Sequence, residues 1–290
     1  MKLLKENNNT SIDKLELSNR FKAFLVSSDF REMINNFDID NLYKYTLRSF
    51  YITDIGNLTQ MLYSISINPL NYLTYVPSYF LCGIDRTINI SIPNNITSID
   101  NNAFYNCSGL TSVTIGNNVT RIGHAAFRDC TGLTSVTIGN NVTSIGSFTF
   151  AGCTSLTNIT IPDSVTSIDS DAFSECTSLK NITIPDNVTN IGSSTFKYCS
   201  NLHAITINSN ITAIYDNFAA VCENLTEVFI PKTVLTIHNY SFSYCPSLRE
   251  IQYGGTKQDW RKIKKYGSWK IASPIQTIHC IDGDINYKVL

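Results

Sequence analysis

A parallel-strand solenoid is the fold class this chain predicts, and three regularities predict it. Cys107, Cys130, Cys153, Cys176, Cys199, Cys222 and Cys245 each follow the last by 23 residues. Three residues before them stand Phe104, Phe127, Phe150, Phe173, Phe196 and Phe242, with Ala219 as the exception, and three residues after them comes a leucine, from Leu110 to Leu248. Apolar pairs two apart then recur, such as Val113/Ile115, Ile159/Ile161 and Ile182/Ile184. Self-similarity at this period means stacked coils, because one coil cannot bury its apolar face without neighbours.

The elements follow in chain order. Residues 1–75 read as a helical N-terminal region: Ile12, Leu15, Leu17, Phe21, Phe24 and Leu25 form one apolar stripe at helical spacing. Leu42, Tyr45, Leu47 and Phe50, then Leu58, Met61, Leu62 and Ile65, form two more, and Asn68-Pro69 stops the last. This region is either a cap over the exposed end of the first coil, which a solenoid needs, or a separate binding domain. The array occupies residues 76–253, with about seven 23-residue repeats after a degenerate first coil in which Phe80 and Cys82 stand one residue too close.

Each repeat predicts one short strand. Its spacing of two sends Ile159 and Ile161 inward and Thr160 outward, and likewise for Thr183. Gly-Asn-Asn, Pro-Asp-Ser or Pro-Asp-Asn then ends the strand, residues suited to tight turns. A second apolar pair, such as Val165/Ile168, closes the coil. Residues 254–290 are the third element, where Trp260 and Ile263 make a helical apolar pair.

The run from Cys153 to Cys176, CTSLTNITIPDSVTSIDSDAFSEC, resembles a unit of the BspA-like, or Treponema pallidum-type, leucine-rich repeats. The likeness extends from about Ile88 to Tyr253. The segments YGGTKQDWRKI from Tyr253 and TIHCIDGDI from Thr277 are similar to a C-terminal cap that closes such arrays. The resemblance implies a curved solenoid with a sheet on one face and short helical or irregular turns on the other. Many members are surface or secreted proteins, which makes a cell-surface adhesin one expectation.

Composition is that of a folded chain: 290 residues, 43% apolar, net charge −1. The charge is uneven. Residues 87–253 carry six basic and eleven acidic side chains, and residues 254–290 carry seven and three. MKLLKENNN is too polar for an export signal, and no apolar stretch is long enough to span a membrane. The reading is therefore a cytoplasmic protein of its own cell, or of a host cell if a virus encodes it.

Chemistry finds little support. One thiol per coil gives every cysteine two equivalent neighbours, so the ladder reads as reduced core thiols rather than disulfides. No CxxC occurs, and His124, His203, His238 and His279 are scattered, so no metal and no cofactor is expected. Glycine-rich phosphate loops and ordered catalytic residues are absent from the sequence, so the chain is not read as an enzyme.

Binding remains, and the informative residues are those that break the repeat without need. They gather in the last coils: Tyr215, Phe218, Glu227, Phe229, His238, Tyr240, Tyr244, Arg249 and Glu250. Exposed aromatics among charges are the composition of protein-binding hot spots. The expected partner is a protein, met by a chain that is monomeric alone. By analogy, such a scaffold could serve a virus, phage or parasite as an inhibitor of a host complex. A second candidate is the basic set Lys257, Arg261, Lys262, Lys264, Lys265 and Lys270 with its interleaved Trp260, Tyr266 and Trp269, which offers phosphate contacts and stacking to RNA. A solvated basic face over a structural cap is the favoured reading of that set.

Overall fold

The chain divides into two units, Met1–Leu73 and Thr74–Leu290. The computed structural model describes residues 74–287 apart from 77, 79, 84 and 86. The helices expected in the N-terminal region lie outside the described residues. The second unit is a solenoid of two parallel ladders, each with nine coil strands among the described residues.

The first ladder is built on the apolar pairs that follow each leucine, both members lying within strands such as Leu110–Ile115 and Asn181–Ile184. Ile88–Ile92, Leu110–Ile115, Ser135–Thr137 and Asn158–Ile159 pair in that order. Asn181–Ile184, Ala204–Ile207, Glu227–Ile230, Glu250–Tyr253 and Thr277–Cys280 continue, and Gly283–Asn286 folds back antiparallel on the last. The register is the sequence period itself, with Ile182 beside Ile205 and Thr183 beside Thr206. Leu156, Ile159, Ile161, Val165, Ile168, Phe173 and Cys176 are all buried, while Thr160 is exposed, as alternation requires.

The second ladder was not foreseen. The second residue of the pair that closes each coil ends a two-residue strand in most coils, as Ile168 does in Ser167–Ile168; these strands run from Tyr75–Val76 and Ser98–Ile99 through Asn190–Ile191, then Ala213–Ile214, Thr236–Ile237 and Lys264–Lys265. Threonine explains why these short strands hold. Thr97, Thr120, Thr143, Thr166 and Thr189 each donate their Oγ1 to the carbonyl of the threonine one coil earlier, at 3.0–3.3 Å. In this column Leu235 stands where threonine would, and it is 63% exposed.

Between the ladders runs a core column of rings. Phe104, Phe127, Phe150, Phe173 and Phe196 stack face to face, with interplanar angles of 5–12° and centroids 4.9–5.7 Å apart. Beside it, each array thiol donates to a backbone carbonyl of the preceding coil, from Cys107 to Leu81 through Cys130 to Phe104 and on to Cys245 to Ala219. The acceptor is always the residue in the phenylalanine register.

That rule corrects two readings. Leu81, not Phe80, holds the phenylalanine place in the first coil, so Phe80 is displaced by one residue, while Cys82 stands outside the thiol column, in keeping with its place outside the 23-residue spacing. Phe218 is displaced in the same way beside Ala219, and it is only 1% exposed. Displaced rings still fill the column, but edge-on: Phe80 meets Phe104 at 82°, and Phe218 meets Phe196 at 89°.

The C-terminal segment is itself one more coil. Lys264 pairs with Thr236 and Thr277 with Glu250, so it adds a rung to both ladders while looping out a short helix, α1, over Lys257–Lys262. Thr256 caps α1: its hydroxyl accepts the Asp259 N–H, and the Asp259 carboxylate accepts the Thr256 N–H in return. Trp269 then packs edge-on against Phe242, Trp260 against Trp269 and Tyr253 against Trp260, which ends the ring column.

Burial raises the pKa of Cys130, Cys153, Cys176, Cys199, Cys222 and Cys245, to about 12 for Cys199 and about 11 for Cys245. Folding thus disfavours the thiolate. Stability is fully present below the unfolded thiol value near 9 and is lost as pH rises from there toward the raised values. Alkaline titration followed by circular dichroism should show a steep loss of structure in that window, while native protein near pH 8 should react with a thiol reagent only at the half-buried Cys82 and Cys280. Fast modification of the other seven without unfolding would contradict this packing.

Candidate functional site

The candidate residues of the last coils fall on three different segments of the coil rather than one. Glu227, Phe229 and Glu250 lie on the outward side of the longer ladder. Phe229 is neighbour to Gln252 across the rung, and its ring lies against Gly254, where an added Cβ would sit 3.2 Å from Phe229 Cζ. Arg249, just before the strand, is exposed, and its carbonyl receives the Gln276 N–H.

Tyr215 and His238 sit after the second ladder, where Gly123, Gly146 and Gly192 stand in earlier coils. Their rings make a short column with Tyr266, at centroid distances of 5.2 and 4.8 Å, and the Lys264 ammonium lies 4.9 Å over Tyr266. Tyr266 belongs to this group, although the sequence offered it only as an aromatic among lysines.

The third group is on the turn that leads back to the cysteine. Every coil places two residues there in the left-handed region, five and one before the cysteine, such as Asn102 and Asn106 at φ of 56° and 55°. Asparagine, aspartate and glycine tolerate that backbone, whereas a bulky side chain is strained in it. Tyr240 and Tyr244 nevertheless occupy both positions of the last repeat, each at φ 59°, and they are 42% and 52% exposed. Tyr198, two coils earlier in the Tyr244 column, has φ 64° and is 43% exposed. Sequence reading missed Tyr198, because its signal is column position rather than clustering. Beside Tyr244 lies a small cleft of about 410 Å3 lined by Pro246, Ala272, Ser273 and Pro274.

Phe218 leaves the surface set. Its ring is in the core, so it anchors no partner.

The basic set is also smaller than it reads. Lys265 turns inward, donating to the carbonyls of Trp260 and Ile263 at 2.6 and 3.1 Å with its ammonium 4.5 Å over the Trp260 ring. Burial pushes its pKa down to about 8. Lys270 donates to the Ile275 carbonyl at 3.0 Å and lies over Tyr287. These two lysines close the last coil, and Lys257, Arg261, Lys262 and Lys264 remain outward.

His279 clasps the terminal hairpin to the last repeat. Its Nδ1 is 2.9 Å from Asp284 and its Nε2 3.2 Å from Glu250. A neutral imidazole has one donor and one acceptor, so two carboxylates on its two nitrogens call for the imidazolium. The Asp284 bond first, then the Glu250 bond, raise its pKa above the ordinary 6.5. The clasp is therefore intact below about pH 6.5 and loosens as pH rises through the raised value. Hydrogen exchange, corrected for intrinsic rate, should show residues 277–286 losing protection over that rise in wild type and not in His279→Gln. A pH-independent hairpin would refute the clasp.

No group of three or more His, Cys, Asp or Glu side chains is placed to hold a metal among the described residues. Likewise, no described helix is long and apolar enough to cross a membrane.

The geometry has close parallels among solved structures. A Treponema pallidum leucine-rich repeat protein superposes with a TM-score of 0.55 at 25% identity, covering 64% of this chain and 86% of that one. A leucine-rich repeat protein from Bacteroides ovatus does so with a TM-score of 0.51 at 21% identity, over 66% and 63%. Among curated proteins nothing matches. The model of the BspA-type leucine-rich repeat region matches in six copies, over residues 57–172 and 143–266. Those segments hold the seven array thiols, the phenylalanine stack and both ladders as far as Lys265, so the 23-residue coil described above is that repeat, and the chain belongs to the BspA-type leucine-rich repeat family.

Proposed function

We propose that this chain is a non-catalytic scaffold that binds a protein partner through the turn edge of its last coils. One observation carries the reading: Tyr240 and Tyr244 keep exposed aromatic rings at left-handed positions that the fold would fill more cheaply with asparagine or glycine. Exposed rings that the core does not require, set close together on a rigid edge, are suited to contact with a partner. Tyr198 extends the same edge, and Lys197 lies 4.8 Å over its ring, which adds a fixed positive charge to the aromatic surface. Phe229 with Glu227 and Glu250, and the Tyr215–His238–Tyr266 column, flank this edge on neighbouring segments.

The setting we favour is intracellular, as an inhibitor of a host complex encoded by a virus, phage or parasite. The family resemblance supports the rival setting, a surface adhesin, and protease treatment of intact cells separates the two. RNA binding is less favoured because Lys265 and Lys270 are engaged within the fold. The test is affinity capture from the native lysate with wild type and with a Tyr198→Asn, Tyr240→Asn, Tyr244→Asn variant in parallel. A protein captured by the first and not the second supports the reading; equal capture by both overturns it, and capture abolished by nuclease treatment replaces it with the nucleic-acid mode.

A further inference from the structure

The turn edge carries a line of backbone hydrogen bonds of its own. The residue before each cysteine donates its N–H across one rung, from Glu175 to the Lys197 carbonyl, Tyr198 to Ala220, Val221 to Ser243 and Tyr244 to Ile271, at 2.7–2.9 Å. All four donors lie in the left-handed region, and so does Ala272, which the last of these bonds sets in the same place of the C-terminal coil. One column therefore reads Glu175, Tyr198, Val221, Tyr244 and Ala272, at a rise of about 4.8 Å per rung.

The column alternates. Tyr198 and Tyr244 are exposed ridges, and the smaller Val221 between them is half-buried. Beyond Tyr244, Ala272 lines the cleft of about 410 Å3 with Pro246, Ser273 and Pro274. Before Tyr198, the exposed Glu175 shares its turn with Asp171, the other left-handed residue of that coil. The cations nearby are engaged: Lys197 lies over the Tyr198 ring, and Arg128 is 3.4 Å from Asp129 and 5.3 Å over the Phe148 ring. Asp129, Asp171 and Glu175 outnumber these two cations, so this end of the column is net negative. Three low places, one acidic and two apolar, thus recur every two rungs, about 9.6 Å, with a tyrosine standing between each and the next.

We propose that this column docks a polyproline II segment of the protein partner, with a lysine or arginine at the Glu175 end and prolines over Val221 and in the cleft at Ala272. The proposal rests on the tyrosine edge being the binding surface and names what that surface holds. Pitch selects the occupant. Polyproline II turns once in three residues, about 9.3 Å, so residues i, i+3 and i+6 share a face and meet the three places with a drift of about 0.6 Å over two intervals. An extended strand repeats its face roughly every 6.8 Å and misses them. A helix returns a side chain to one line every seven residues, about 10.5 Å, and drifts by about 1.8 Å over the same span. Polyproline II also has no internal hydrogen bonds, so its carbonyls are free to accept from the tyrosine hydroxyls, and it arrives already ordered. Charge agrees with pitch, since the net negative end meets the basic side chain.

The test is an amide-shift titration of the 15N-labelled full chain with a decaproline peptide that carries lysine at both ends, so that either chain direction is served, and with an alanine-rich helical peptide of equal charge. The expected result is saturable shifts centred on residues 175, 198, 221, 244 and 272 with the decaproline peptide, at a Kd on the order of 0.1 mM, and binding at least ~10-fold weaker with the helical one. Replacing Tyr198 and Tyr244 together by asparagine, which suits the left-handed backbone, should weaken the decaproline peptide at least ~10-fold. Glu175→Gln should weaken it about threefold and leave a glutamine-ended decaproline unaffected. Absence of saturable shifts with decaproline, shifts mapping away from the column, equal binding of the helical peptide, or affinity unchanged by the tyrosine pair or by Glu175→Gln overturns the proposal. The tyrosine edge as a protein-binding surface is then judged by the capture comparison alone, which uses no proline-rich probe.

Discussion

Replacing Phe173 by alanine should destabilise the array by about 3–5 kcal/mol, whereas Thr160→Ala should cost under about 1 kcal/mol. Phe173 is fully buried and stacks on Phe150 and Phe196, at 5.5 and 5.7 Å with angles of 12° and 10°. Truncation leaves a ring-sized cavity and removes two aromatic contacts, each worth roughly 0.5–1.5 kcal/mol beyond area burial. Neighbouring coils cannot collapse into the gap, because the second ladder and the thiol bonds hold their spacing. Thr160, by contrast, points into solvent from the strand. Urea unfolding monitored by far-ultraviolet circular dichroism measures both, and a Phe173→Ala loss below about 1.5 kcal/mol would show that the ring column is not the core of the fold.

Substituting asparagine for Tyr240 and Tyr244 together should weaken binding of the captured partner by at least ~2 kcal/mol, near thirtyfold, while the fold becomes no less stable. The two effects have opposite signs for one reason. Left-handed backbone penalises a tyrosine by roughly 1 kcal/mol and tolerates asparagine, so each replacement relieves strain and can raise stability by up to about that amount. A tyrosine that merely packed would do the reverse. Calorimetric titration and thermal unfolding on the same samples read both quantities. Lost binding with lost stability would mark the tyrosines as structural. Unchanged binding would move the interface, and Phe229→Thr, which installs the residue the preceding coil carries at Thr206, then tests the strand side.

Much of the architecture was legible because it repeats. Seven cysteines in register defined the coil, and alternation at Ile159, Thr160 and Ile161 gave the inward and outward sides correctly. The second ladder was not legible, since Val165 and Ile168 are three apart and carry no strand periodicity. The strand Ser167–Ile168 pairs through backbone contact between coils, helped by the threonine hydroxyls, which act across 23 residues rather than along the strand. Phe218 misled because displacement by one residue looks like release from the core, when a ring can reach the same column edge-on. Lys265 and Lys270 read as surface charge, and only three-dimensional contact shows them satisfying carbonyls.

The thiol column has a consequence for how far apart this protein can hold what it binds. Because every coil is fixed to the last through the same carbonyl, at a rise of about 4.8 Å, distance along the array is counted in whole coils and does not stretch. Tyr198 and Tyr244, which stand in one column, are separated by two such steps along the axis, and a coil added or removed between them would change that separation by one step without altering either ring. A chain built this way is a ruler: two ligands held at once would meet at a spacing set by repeat number, and a partner that bridges both would discriminate among relatives by length rather than by residue identity.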